Sequence, residues 1–121
     1  MSSFTHTDLS STLSSCPDSP NCVHNSYEVS SDLDTLYTHT EQALQITGAS
    51  SILRIEGGFD AVYTIPVFGW KDDVSIRFTK IDSSNTHFDI RSASREGYYD
   101  LGVNNRRVKK ILKAIQTKLN N

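Results

Sequence analysis

The spacing of apolar residues changes period twice along this chain of 121 residues, and the changes mark its elements. From Ser31 onward Leu33, Leu36, Tyr37, Thr40, Ala43 and Leu44 recur at helical spacing. Ser31 stands where an N-cap is wanted, Asp34 supplies the acidic third position of a capping box, and Gly48 provides a stop. The period then falls to two. "SILRIE" and "AVYTIPV" are joined through Gly57-Gly58, and "VSIRFTK" and "THFDIRS" through "IDSSN", which predicts two hairpins in a meander of four strands. Val74, Ile76 and Phe78 alternate with Ser75, Arg77 and Thr79, and Phe88 and Ile90 alternate with Asp89 and Arg91, so the sheet has one buried and one wet face. In "NNRRVKKILKAIQTKL" the helical period returns. Val108, Ile111, Leu112, Ile115 and Leu119 share a stripe, the lysines lie opposite, and Asn104 or Asn105 is placed to cap.

A helix, a run of strands and a helix predict an α+β fold. The expected form is an antiparallel four-stranded sheet with the N-terminal and C-terminal helices packed on one face, in the order α-β-β-β-β-α. No repeat or linker interrupts residues 16–121, which read as one domain. Residues 1–15 are rich in Ser and Thr, with only Phe4, Leu9 and Leu13 to bury, and read as a flexible tail. "CPDSPNCVHNSYEVSS" reads as an irregular loop wrapped on the body, because Pro17 and Pro20 each fix a φ angle and restrict the residue before.

Composition removes some classes of function. A formal net charge of −2 gives no global electrostatic reason to expect nucleic acid or an anionic membrane as partner, so any anion site must be local. No stretch approaches the ~20 apolar residues of a transmembrane segment. The first residues lack a basic and then apolar leader, so the chain as written reads as soluble, cytoplasmic and without a targeting signal. Phosphate-cradling glycine loops and a nucleophile elbow are absent from the sequence, and no cofactor is expected.

The stretch "RSASREGYYDLGVNNRRV" concentrates the candidate chemistry. Arg91 and Arg95 offer fork donors, Ser92 and Ser94 small hydroxyls, and the residues around Asn104 and Arg107 a helix N-terminus, which together suit an anion. Asp72, Asp73, Asp89, Glu96 and Asp100 are the nearby acids, and pairing with them would instead make the arginines structural. Asp72 and Asp73 are adjacent on a strand and point to opposite faces, so their carboxylates do not converge by themselves. Cys16 and Cys22 read equally as a disulfide outside the cytosol or two thiols inside it. With His24 they match no common zinc spacing, and no metal is expected. His6, His39 and His87 are scattered and read as surface residues.

Three blocks, "CPDSPNCV", "WKDDV" and "RSASREGYYDLGVNNRRV", resemble the signature of the domain-of-unknown-function family numbered 1499, over residues 16 to about 119. The resemblance implies a small α+β domain without an assigned activity, in relatives often exported or lipid-anchored behind a leader peptide. It also marks Cys16, Ser19, Asn21, Cys22, Asp72, Asp73, Arg91, Ser92, Ser94, Arg95, Asp100, Asn104 and Arg107 as the matching polar positions. Val23-His24-Asn25 stands where relatives commonly continue Val-Ser-Ser.

The function expected is a non-enzymatic module that binds an anionic small molecule or an acidic group of a partner at Arg91, Ser92, Ser94, Arg95, Asp73, Asp100, Asn104 and Arg107. One alternative is a hydrolase or transferase using Asp72 or Asp73 with an arginine clamp. Another is a structural clasp, in which the Cys-Pro segment folds back over the Arg-Ser segment.

Overall fold

The computed structural model describes residues 2–8, 11–17, 21–96 and 102–121. Its elements are β1 (Phe4–His6), β2 (Cys22–Val29), α1 (Leu33–Ile46), β3 (Ser51–Ile55), β4 (Gly58–Thr64), β5 (Lys71–Lys80), β6 (Thr86–Ser94) and α2 (Val103–Leu119). The class is α+β, and β3 to β6 form the expected meander. The sheet has six antiparallel strands rather than four, in the order β1-β2-β6-β5-β4-β3.

The two added strands come from segments expected to be tail and loop. In β2 the inward positions are Val23, Asn25, Tyr27 and Val29, so the period of two is there but a polar Asn blurs it. β1 is three residues long, too short for a pattern, and is held by Phe4, whose ring meets Tyr27 and Phe88 edge-on at 5.6 and 5.5 Å. Gln116 of α2 also holds the backbone N–H and hydroxyl of Ser3.

Both helices pack on one face of the sheet and against each other, α1 over β4 and β5 and α2 over β6 and β2. The seam is the buried set Leu36, Ala43, Leu44, Phe59, Val74, Ile76, Phe88, Ile90, Val108, Ile111 and Ile115. Each buried large apolar side chain stabilises the fold by about 1.5–3 kcal/mol. A line of rings crosses it, Tyr37 on Phe59 at 4.4 Å and Phe78 on Phe88 at 5.6 Å. Gly58 allows β4 and β5 their close approach, since a Cβ there would lie 1.9 Å from the Ile76 carbonyl oxygen.

Both expected helix caps shift. Asp32, not Ser31, caps α1, its carboxylate accepting from Thr35 N–H at 3.0 Å, and that bond holds the Asp32 carboxyl below its ordinary pKa. α2 begins after Gly102 at φ 78, with no side-chain cap, and Asn104 turns inward instead of capping. Among the described residues no helix is long and apolar enough to cross a membrane.

Candidate functional site

Strand alternation divides the expected site between the two faces of the sheet. Phe88 and Ile90 of β6 face the helices, so Ser92 and Ser94 do too, while His87, Asp89 and Arg91 face away. The same rule sends Asp72 of β5 toward the helices and Asp73 outward. Arg95 follows Asp73 to the outer face, where Nε and Nη2 donate to its carboxylate oxygens at 2.8 Å each. Asp100 lies outside the described residues, as do Ser19, Gly97, Tyr98 and Tyr99.

On the helix side, register places Tyr63, Asp72 and Ser94 in one row across β4, β5 and β6. α2 starts above this row and sends Asn104 and Arg107 down onto it. Ser92 Oγ donates to Asn104 Oδ1 at 2.5 Å, and Asn104 Nδ2 donates to Ser94 Oγ at 2.9 Å and to the Asn21 carbonyl at 3.1 Å. Ser94 N–H reaches the same carbonyl at 3.0 Å. The Cys-Pro segment and the Arg-Ser segment therefore meet at Asn21, one residue before Cys22. Cys22 is bonded to Cys16 in a disulfide.

Arg107 Nη1 donates to Asp72 Oδ2 at 2.5 Å and to Asn104 Oδ1 at 3.2 Å. Its guanidinium carbon stands 4.7 Å from the centre of the Tyr63 ring. Tyr63 is itself buried, and its hydroxyl shares a 2.7 Å hydrogen bond with Thr47 at the end of α1. Burial pushes the Tyr63 phenol above its ordinary pKa of 10.0, partly offset by the Thr47 bond and the Arg107 charge.

Above this floor, between the end of α1, the end of β4 and the start of α2, lies a cleft of about 520 Å³. Arg106, Arg107 and Lys110 line one side, Thr47, Tyr63 and Thr64 the other. Lys71 donates to Thr64 Oγ1 at 2.8 Å. Six of the chain's 12 Lys and Arg residues belong to α2, which contains no acid. The apolar stripe hid this: Lys110 reads with the other lysines as the side opposite the stripe, and only the approach of β4 makes it, with Arg106, one wall of a cleft.

The β4–β5 connection borders the cleft through Ile65 and Pro66. Phe68 N–H donates to the Pro66 carbonyl at 2.9 Å around Val67, whose φ is 75°, the strained positive-φ form of a γ-turn. A β-branched residue there costs about 1–3 kcal/mol. Val67 is 98% exposed, Phe68 64% and Trp70 44%, with the two rings stacked at 4.7 Å.

The outer face is less wet than expected. Asp89 is only 1% exposed, accepts from Ser26 Oγ, and lies 3.1 Å from His87 Nε2, so His87 is a buried residue rather than a surface one. Ser11 Oγ reaches His24 Nε2 at 3.0 Å on the same face. Arg91, between His24 and Ser75 in register, faces this cluster rather than Ser92.

The model of the family described as "Protein of unknown function (DUF1499)" matches residues 12–115. Comparison with curated proteins finds no match. Among solved structures, a conserved protein from Geobacillus kaustophilus is similar at 13% identity and a TM-score of 0.45, over 82% of this chain and 95% of that one.

Proposed function

This chain belongs to the DUF1499 family of proteins of unknown function, and from that premise we propose that it is a non-enzymatic module binding an anionic group in the cleft between α2 and the end of β4. The observation that carries the reading is the convergence of Arg106 and Lys110, beside the Asp72-paired Arg107, on one cleft lined also by Thr47, Tyr63 and Thr64. A guanidinium fork and a point charge around the first turns of a 17-residue helix complement a phosphate-like oxyanion.

The signature residues divide between two tasks in this reading. Asn21, Ser92, Ser94 and Asn104 clasp the start of α2 to β2 and β6, and the Asp72–Arg107 pair fixes the floor of the cleft. Weighing against a hydrolase or transferase, the carboxylates of Asp72 and Asp73 lie on opposite faces, each taken by its own arginine. Weighing against a site on the outer face, Arg95 is already bidentate to Asp73.

Thermal unfolding with inorganic phosphate tests the proposal. Phosphate at 100 times its Kd stabilises the native state by about 2.7 kcal/mol. The midpoint should rise for the wild type and for Arg95→Ala but not for Arg106→Ala/Lys110→Ala. An equal rise in the cleft double variant would remove the site.

A further inference from the structure

The strained turn at Val67 and the basic cleft share Ile65 and Pro66, and nothing in binding a small anion calls for that turn. Its effect is to hold an isopropyl group wholly in solvent beside two stacked aromatic rings. Backbone bonds from Ile65 N–H to the Trp70 carbonyl at 2.7 Å and from Gly69 N–H to the Ile65 carbonyl at 2.9 Å fix the projection, so it is a shaped tip. We infer that this tip inserts into the interface of an anionic phospholipid membrane while the cleft takes a lipid phosphate, making the domain a peripheral membrane-binding module.

The inference rests on the cleft reading and names the source of its anion. Three observations select a membrane as the occupant. Trp settles at the depth of lipid headgroups, and Trp, Phe and aliphatic groups together form the apolar face of segments that bury at the headgroup–acyl boundary. The apolar end of the tip is highly exposed, Val67 at 98% and Phe68 at 64%, and is therefore suited to shallow burial in a membrane interface. The cations stand behind it, with Lys71 following Trp70 in sequence and Arg106 and Lys110 across the cleft, and a second shallow cleft continues along α2 past Lys113 and Lys118 to the exposed Ile46. A surface of that sign is drawn to anionic lipid although the whole chain carries −2.

Trp70 is the only tryptophan in the chain, so its fluorescence reports on the tip alone. The full chain is mixed with vesicles of phosphatidylcholine, with or without phosphatidylglycerol, and in parallel with glycerol phosphate in lipid-free buffer. Expected are a blue shift with the phosphatidylglycerol vesicles, quenching by brominated acyl chains and no change with phosphatidylcholine alone. Val67→Ser/Phe68→Ser should lower vesicle affinity at least tenfold yet keep the thermal shift with glycerol phosphate. Arg106→Ala/Lys110→Ala should lower vesicle affinity roughly 10- to 30-fold and lose that thermal shift.

A thermal shift with glycerol phosphate but no blue shift on any vesicle would overturn the membrane inference and leave the cleft standing. Loss of both signals would overturn both. Binding to phosphatidylcholine and phosphatidylglycerol alike would overturn the inference that the membrane must be anionic. A blue shift that grows with protein concentration in lipid-free buffer would overturn the inference in favour of self-association through the tip.

Discussion

Arg107 Nη1 meets Asp72 Oδ2 at 2.5 Å, and both side chains are nearly sealed from water, 11% and 3% exposed. Neither charge has water to fall back on if its partner is lost. Arg107→Met should therefore cost about 3–5 kcal/mol by leaving the Asp72 carboxylate buried alone, and adding Asp72→Asn should recover part of the loss. Urea denaturation of the single and double variants measures the coupling.

Arg95 and Asp73 make the better-formed fork, yet stand 48% and 45% exposed. Water screens such a pair, so Arg95→Ala should change stability by only about 0–1 kcal/mol. Paired in one set of denaturation curves with the Arg107 variants, it separates the two arginines that the sequence places in one motif.

Asn104 is a polar residue with no solvent exposure in the first turn of α2, bonded to Ser92, Ser94 and the Asn21 carbonyl. Asn104→Leu keeps the volume but strands the buried Ser92 hydroxyl, at about 1–3 kcal/mol. Ser92→Ala should cost less, because Arg107 still donates to Asn104 Oδ1. Equal losses in the two variants, read from denaturant midpoints, would contradict the network.

The fold was largely legible because β3 to β6 and both helices declare their periods in side chains that repeat over several turns or strand pairs. β1 and β2 did not, since one is only three residues long and the other sets Asn25 among its inward positions. The polar residues of the motif were legible in the sequence, but not which of them meet in the packed molecule. Period-two alternation alone sends Arg91 and Arg95 away from Ser92 and Ser94, whereas a single sequence does not state that α2 sets Asn104 and Arg107 down on the serines' side. The cleft was invisible because Arg106, Lys110, Thr47 and Tyr63 come together only in the packed molecule. Val67 gave no signal at all: Val is a residue that the positive-φ position it occupies disfavours.

Tyr63 and Tyr27 both have phenols raised above 10.0 by burial. A raised native pKa contributes stability that is fully present below the unfolded value and is lost as pH rises through the folded one. Stability should thus hold from neutral pH to about pH 9 and fall beyond 10. Tyr63→Phe should flatten part of that fall, measurable as urea midpoints across the alkaline range.

The disulfide between Cys16 and Cys22 spans a sequence separation of 6 and adjoins the Asn21 clasp. Closing a loop that short stabilises by about 2 kcal/mol. Reduction should lower the denaturation midpoint accordingly, and Cys16→Ser/Cys22→Ser should match the reduced protein and no longer respond to reductant.

The cleft is the centre of the account, and amide chemical-shift mapping during a phosphate titration locates the ligand most directly. Saturable shifts should gather at Thr47, Gly48, Thr64 and the first two turns of α2, from Val103 to Lys110. Shifts gathered instead at Arg91, Arg95 and their neighbours on the outer face, or none at all, would contradict it.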